Sequence, residues 1–353
     1  MKLQKKYCKY TPVSSQINII TDPRKISSSD WEEFIRQNGG YIFQTPQMWE
    51  VYLTQEYLKI CFVAILKNGK IQAVSLGYIQ PLVDGLLGQL IKRTVIQGGP
   101  LFVKDVDEVI PLLMLSEINK QVKSKSVYTQ IRNYNETLAY KLAFDEKKFK
   151  KDDHLDIIIN LKKNEIDLFS DMHSTRRKQI RRSYKRGIRC ELIEDYSEHL
   201  VKELYTLLAK LYKQISLPLA SFDLINETVK QFMPKGWIRI FVAYLGNKIV
   251  GFRMVLTYNS IIFDWYAASE KELQDKYIND VLPWEVIKWG SLNGYDYFDF
   301  GGAGKPNKEY GVRDFKLKFG GEMVNYGRYE KINMPLLMAV GKIGLEIKKW
   351  CRI

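Results

Sequence analysis

The chain has no stretch approaching the roughly 18 apolar residues that a membrane-crossing helix needs. Its first residues, MKLQKKYCKY, are basic but have no apolar run behind them, so no secretory signal peptide is expected. Cysteine is scarce: Cys8, Cys61, Cys190 and Cys351 stand far apart in the 353 residues. That spacing excludes a CxxC redox pair and a zinc site, and predicts reduced thiols in a reducing compartment. The three histidines, His154, His173 and His199, belong to no metal or triad pattern, so no metal is expected. Negative charge is also short, 40 Asp and Glu against 54 Lys and Arg, for a net charge of +14. A basic globular chain favours polyanions: nucleic acid, nucleotide phosphates or an anionic membrane face. The hydrophobic share of 46% excludes disorder, and the length allows two or three compact units. The expected location is cytoplasmic, with peripheral attachment at the inner membrane face left open.

What the chain does have is a repeat. Phe62 to Ile71 reads FVAILKNGKI, and Phe241 to Val250 reads FVAYLGNKIV. Each is an apolar strand, a turn of Gly, Asn and Lys, and the start of a return strand, which is a hairpin pattern. A second match follows in the same order. VIPLLMLSEINKQV opens at Val109, and VLPWEVIKWGSLNG opens at Val281. Proline in both suits a first helical turn. Both helices run into a short strand, Ser126 to Ile131 and Tyr295 to Phe300. Two matches in register predict a duplicated α/β unit, an α+β mixed sheet with a helix on it. Residues 62–131 and 241–300 should then superpose. The joint is expected in the lysine-rich region Lys147 to Lys163, interrupted by the strand-like LDIIIN. This divides the chain into units 1–160 and 161–335. A terminal helix, 336–353, carries Leu336, Val340, Ile343 and Ile347 at helical spacing. It can dock on the body or, being basic, touch a membrane.

Between Arg176 and Arg189 stand eight basic residues and no acidic one. Ser174 is the expected N-cap and Gly187 the stop. Ile180 and Tyr184 are expected to face inward, with Arg177, Arg181 and Lys185 as an adjacent stripe. A solvated helix normally intersperses acids, so the uncompensated charge points to a phosphate ligand, which arginine grips with two hydrogen bonds. Near the end, DFGGAGKPNKEYGVRDFKLKFGGE runs from Asp299 to Glu322. It is not a P-loop, because GK[ST] is missing. Phe315, Leu317 and Phe319 alternate with Lys316 and Lys318, which predicts a strand with Lys316 on its exposed face. Interleaved aromatic and basic residues also suit stacking on a base beside a phosphate.

These residues resemble the FemABX family of peptidoglycan bridge-forming aminoacyltransferases, which are double GNAT-like proteins. The matching pieces are IFQTPQMW at Ile42, STRRKQIRRSYKRGI at Ser174, PWEVIKWGSLNGYDYFDFGG at Pro283 and GVRDFKLKFGGE at Gly311. The same pattern occurs in acetyltransferase-like proteins of polysaccharide gene clusters. The resemblance implies transfer of an aminoacyl group from aminoacyl-tRNA to an amine of a cell-wall precursor, in the cytoplasm, with no bound cofactor. It implies that the basic segment, Arg177 first, meets phosphates of a nucleotide- or lipid-linked precursor. It implies that Phe315 and Lys316 lie near the acceptor end of tRNA. Some members carry a lysine shortly after the tryptophan matching Trp49, where this chain has Glu50, Val51 and Tyr52. Long-armed members insert a helical hairpin, for which Tyr196 to Gly236 leaves no room, so no coiled-coil arm is expected.

CoA-dependent relatives of the fold hold pyrophosphate on a glycine-containing loop before the helix. Here the corresponding stretch is Lys276-Tyr277-Ile278-Asn279-Asp280, without glycine, and in the first unit Asp105 to Glu108 is acidic. Both argue against a conventional CoA site. The chemistry is attack of a neutral amine on an ester or thioester carbonyl, which needs alignment and a stabilised oxyanion. Asp299 and Asp264 are the candidates for handling the amine proton. The alternative activity is acyl-CoA-dependent N-acylation of an amino sugar, and a third is a silent RNA- or glycan-binding double domain.

Overall fold

The computed structural model describes residues 16–82 and 91–339. The chain opens with β1 (Ile17–Ile20), α1 (Ser28–Gln37) and α2 (Pro46–Leu53), then β2 (Lys59–Lys67), β3 (Lys70–Pro81), β4 (Lys92–Gly98) and β5 (Leu101–Phe102). Next come α3 (Val109–Val122), β6 (Tyr128–Asn133), α4 (Lys141–Glu146), β7 (Lys150–Asp152), β8 (Asp156–Asn160), α5 (Glu165–Asp171), α6 (Ser174–Lys185) and β9 (Ile188–Ile193). Then follow α7 (Glu198–Gln214), α8 (Phe222–Phe232), β10 (Ile238–Leu245), β11 (Lys248–Tyr258), β12 (Ile261–Ser269), α9 (Ile278–Leu292) and β13 (Tyr297–Gly302). The last elements are α10 (Gly311–Leu317), β14 (Glu322–Val324) and β15 (Arg328–Ile332).

Two mixed sheets result. The first runs β1-β2-β3-β4-β6-β15-β7, with β5 beside β3, and the second runs β9-β10-β11-β12-β13-β8-β14. Position by position the order is the same, so the repeated segments do share one topology. Each hairpin turns in two residues, as the paired flanks Lys67↔Lys70 and Leu245↔Lys248 require. The turns need positive φ, found at Asn68 and Gly69 in one and at Gly246 in the other. Helix α3 packs on one face of the first sheet through Ile110, Met114, Ile118 and Val122, and α9 does the same on the second through Val281, Val286 and Ile287. A third core crosses between the halves. It joins Trp31, Phe34, Val51 and Phe62 to Leu204, Val229, Phe232 and Met254. The segment Tyr196 to Gly236 is filled by α7 and α8, whose buried faces belong to that core, so no arm projects.

Several expectations are corrected. The units exchange strands: β8 leaves residues 1–160 for the second sheet, and β15 leaves 161–335 for the first. Pro283 is not in a first turn, because α9 begins at Ile278 and Pro283 lies inside it. Residues 311–317 form the helix α10 and not a strand. The N-cap of α6 is His173, whose ring accepts from the Thr175 amide, and not Ser174. Tyr184 is 39% exposed and does not face inward as Ile180 does. The terminal helix 336–353 falls mostly outside the described residues, which end at 339 in a helical turn.

Candidate active site

Strands β12 and β13 run parallel and pair at Ile261↔Tyr297, Ile262↔Phe298 and Phe263↔Asp299. Beyond Asp299 they separate. Both are irregular at that point. The β11–β12 register shifts between Val255↔Asp264 and Met254↔Tyr266, which leaves Trp265 outside the ladder. The β13–β8 register shifts between Asp299 and Gly302. Such bulges re-aim backbone groups and side chains. The result is a V-shaped opening whose apex holds charge.

Asp299 sits at the apex, 1% exposed. Its Oδ1 accepts from the Gly301 amide at 2.7 Å, and its Oδ2 accepts from the Tyr41 hydroxyl at 3.4 Å. Tyr41 comes from the first half and packs with Tyr134 against Phe263, so the apex is roofed by the other unit's aromatics. Asp156, at the head of β8, is buried nearby. Burial pushes both carboxyls above the usual range; the charge of Asp299 adds to the rise at Asp156, while the Gly301 amide opposes it at Asp299. A carboxyl so raised is matched to proton transfer near neutral pH. Lys316, from α10, caps the same strand end. Its Nζ donates to the carbonyls of Phe300 at 2.6 Å, Gly302 at 2.9 Å and Gly301 at 3.3 Å, and burial lowers its pKa. Asp264 is not free: it forms an ion pair with buried Arg253 across β11 and β12, while its Oδ1 has no partner.

The structure thus brings Asp299, Asp264 and Lys316 together, while the basic helix packs on α9 and α10 through Arg176. Lys316, expected on an exposed strand face, is instead turned inward. The ring of Phe315, expected to be free for a base, lies 4.2 Å from the buried guanidinium of Arg176. Arg177 spends its guanidinium on the carbonyls of Ser170, at 2.5 Å, and Met172, at 2.6 Å. Arg181 and Lys185 are exposed, with Arg181 over the Phe169 ring.

Residues 174–316 match the family model described as the acetyltransferase (GNAT) domain. That segment is a GNAT domain. The chain has the fold of FemX over 92% of its own length and 99% of that chain, with a TM-score of 0.68 at 15% identity. It is similar also to L-PGS from Bacillus licheniformis, with a TM-score of 0.58 at 17% identity, over 90% of this chain and 95% of that one. A tandem GNAT protein from the clavulanic acid biosynthesis pathway aligns with a TM-score of 0.57 at 9% identity, over 90% of this chain and 99% of that one. No curated protein matches the sequence. The fold is therefore a tandem of GNAT-like acyltransferase units.

In the GNAT domain the start of α9 is where a CoA pyrophosphate would meet backbone amides. Here Asp280 occupies that first turn, 7% exposed, and is ion-paired with Arg176, itself 2% exposed. The rings of Phe315 and Phe319, set edge to face, both pack on the guanidinium at 4.2 and 4.3 Å, and the carbonyl of Phe315 accepts from it at 2.9 Å. The cavity beside it, about 260 Å3, is lined by Gln179, Tyr277, Asn279 and Asp280. With its charge spent on Asp280, the Arg176 guanidinium is not free to meet a pyrophosphate there.

Sequence reasoning missed Asp156, Tyr41 and Arg253. An acid opening the apolar run DIIIN was the available signal for Asp156. IFQTPQMW turns out to be a structural clamp. The Gln44 amide donates to the carbonyls of Gly98 and Gly99 at 3.2 and 2.9 Å, its oxygen accepts from the Tyr41 amide at 2.7 Å, and Thr45 caps α2.

Proposed function

We propose that the chain transfers an aminoacyl group from aminoacyl-tRNA to an amine of a phosphate-bearing cell-wall precursor, with the second unit as the reacting one. The observation that carries this reading is the buried Asp280–Arg176 pair, which puts a carboxylate in the first turn of α9, where a CoA donor would meet backbone amides. A tRNA ester needs no such cradle. The fold likenesses to FemX and L-PGS support the same donor. The ester carbon lies in the opening between β12 and β13. The acceptor amine attacks it, Asp299 takes the amine proton with Asp156 behind it, and the backbone amide at the Trp265 bulge faces the oxyanion. The C–O bond to the ribose breaks, the amide bond forms, and the proton passes to the departing ribose oxygen. Lys316 fixes the glycine-rich strand end through its carbonyls, beside the terminal adenosine. Arg181 and Lys185 meet phosphates of the precursor, whose lipid-linked form would bring the chain to the inner membrane face; among the described residues no helix is long and apolar enough to cross it.

The second reading is acyl-CoA-dependent N-acylation of an amino sugar, favoured by the acetyltransferase model matched at 174–316. Incubation with charged tRNA or acetyl-CoA, each with a mixed precursor pool, followed by mass spectrometry of the acceptor, separates them. Aminoacyl transfer from charged tRNA is expected. Transfer from acetyl-CoA with charged tRNA ignored replaces the first reading by the second.

A further inference from the structure

The wall of the cleft opposite the acyl site is built by the first sheet. Its rear face, with Ile96, Ile131 and Tyr329, packs on α3. The other face carries a row across four strands. Gln97 on β4 pairs with Arg132 on β6, Arg132 with Arg328 on β15, and Arg328 with Asp152 on β7. Directly opposed residues on neighbouring strands point the same way, so two guanidinium groups stand side by side. Like charges so placed are destabilising, and both residues are half-buried, where water screens them poorly.

Nothing in the row compensates them. Among the described residues no carboxylate lies within ion-pair distance of either arginine. Asp152 is taken by Lys305 at 2.5 Å. Arg132 donates to the neutral Gln130 at 2.8 Å, and Gln130 donates in turn to Glu330 at 2.6 Å. Arg328 meets the ring of His154 at 2.8 Å. Burial first, then the charge of Arg328, push that ring down to about 4, so it is neutral and brings no charge of its own. Asp156 also acts on Arg328 electrostatically, and burial raises its own pKa toward the protonated form. Gly302, at the glycine-rich end of β13, lies so close that a Cβ there would meet His154 Nε2 at 2.9 Å. Tyr134 follows the end of β6, two residues beyond Arg132, with its hydroxyl donating to Gln97 at 2.9 Å.

We propose that Arg132 and Arg328 are a binding site for an oxyanion of the acceptor, a carboxylate or a phosphate, which holds the acceptor's amine toward the opening between β12 and β13. Two adjacent guanidinium groups match the spread of oxygens on either anion. The assignment to the acceptor rests on the reading above, in which the opening between β12 and β13 takes the donor's ester and Lys316 stands beside its terminal adenosine. The oxyanion site itself does not depend on it.

The test uses the full chain and no acyl transfer, so its failure is distinct from failure of the proposed activity. Melting temperature is followed against inorganic phosphate and, separately, sodium acetate, in wild type, Arg132→Gln and Arg328→Gln. Without added anion both variants are expected to melt at or above wild type, since repulsion is removed. One of the two anions is expected to raise the wild-type melting temperature, and each variant should need at least about ten times more of it for the same shift, as loss of a charge-assisted hydrogen bond predicts. The response left in the variants is that of other basic surfaces such as α6. A response to acetate alone assigns a carboxylate, and a response to phosphate alone assigns a phosphate. Anion responses that are identical in all three proteins, or variants that melt well below wild type without anion, overturn the proposal.

Discussion

The two units share a topology and differ where their sheets open. In the second, β12 stays with β11 and parts from β13 after three paired positions. In the first, β4 leaves β3 at Val95 and follows β6 through six pairs, and β5 resumes the pairing with β3. The opening is thereby filled by Ile96, Gln97 and Gly98, and Gln44 clamps it. Register carries the comparison to single residues. Val95 pairs with Gln130 as Phe263 pairs with Asp299. By the same count Ser75 and Ile96 stand where the second unit has Arg253 and Asp264. The first unit holds a neutral, filled apex; the second holds paired charges around a gap. Buried charge is expensive to maintain, and its retention in one unit only supports the proposal that this unit is the reacting one. The helix starts differ too. Just before α3 the exposed Asp107 accepts from the Val109 amide at 3.1 Å and pairs with Lys67, whereas in α9 the acid is buried and held by Arg176.

The largest contrast should come from that last pair. Asp280→Ala leaves the Arg176 guanidinium buried without its counter-charge, and denaturant unfolding should show a loss of about 3–5 kcal/mol. Asp107→Ala in the first unit should cost far less. Equal effects would mean that the buried pair is no more than a helix cap.

Next in size is the apex. Asp299→Asn keeps the shape and removes the base, so turnover of folded protein should fall roughly 10²–10⁴-fold, the usual share of a general base. Because burial raises the carboxyl pair, wild-type activity should rise with pH along a limb above the ordinary carboxylate value of 3.8. Asp156→Asn removes a neighbouring negative charge and should move that limb down. Stability runs the other way. A raised pKa means that the folded state binds the proton more tightly, so the stabilisation is complete at low pH and is lost as pH rises through the folded value. The fall in melting temperature from about pH 5 to about pH 8 should be smaller in Asp156→Asn than in wild type. An unshifted limb in that variant would separate Asp156 from the reaction.

Much of the fold was readable because it is written locally. Asn68-Gly69 and Gly246 set tight turns, apolar runs flank them, and the order hairpin, helix, strand recurs. The strand exchange was not readable, since the pairing of β8 with β13 and of β15 with β6 spans over a hundred residues and leaves no local trace. Residues 313–319 misled for a physical reason. FKLKF alternates as a strand does, yet Phe315 and Phe319 are also four apart, the helical spacing, and their shared partner Arg176 lies in another helix. The same long-range effect turned Lys316 inward: its three carbonyl partners are fourteen to sixteen residues away. Asp299 drew attention because its strand runs into a glycine cluster, and Asp156 did not because its burial depends on β13 and β14 pairing with its strand.

The smallest predicted effect separates two neighbours on the basic helix. Arg177 and Arg181 looked equivalent as members of one stripe. Arg177 donates to the Ser170 and Met172 carbonyls, which ties the end of α5 to α6, while Arg181 is exposed over Phe169 with no hydrogen-bonding partner among the described residues. An exposed, unpaired guanidinium can turn to a ligand at little conformational cost, and one already spent on two carbonyls cannot. Arg181→Ala should therefore weaken binding of a phosphate-bearing precursor by about 1–3 kcal/mol, the range of a charge-assisted hydrogen bond, and leave the melting temperature nearly unchanged. Arg177→Ala should lower the melting temperature instead, with affinity changing only as far as α6 shifts. Titration of both variants with the same precursor, beside thermal unfolding, gives the comparison directly. If Arg177→Ala loses affinity and Arg181→Ala does not, the phosphates lie on the α5 side of the helix, and Arg177 must exchange its carbonyls for the ligand on binding.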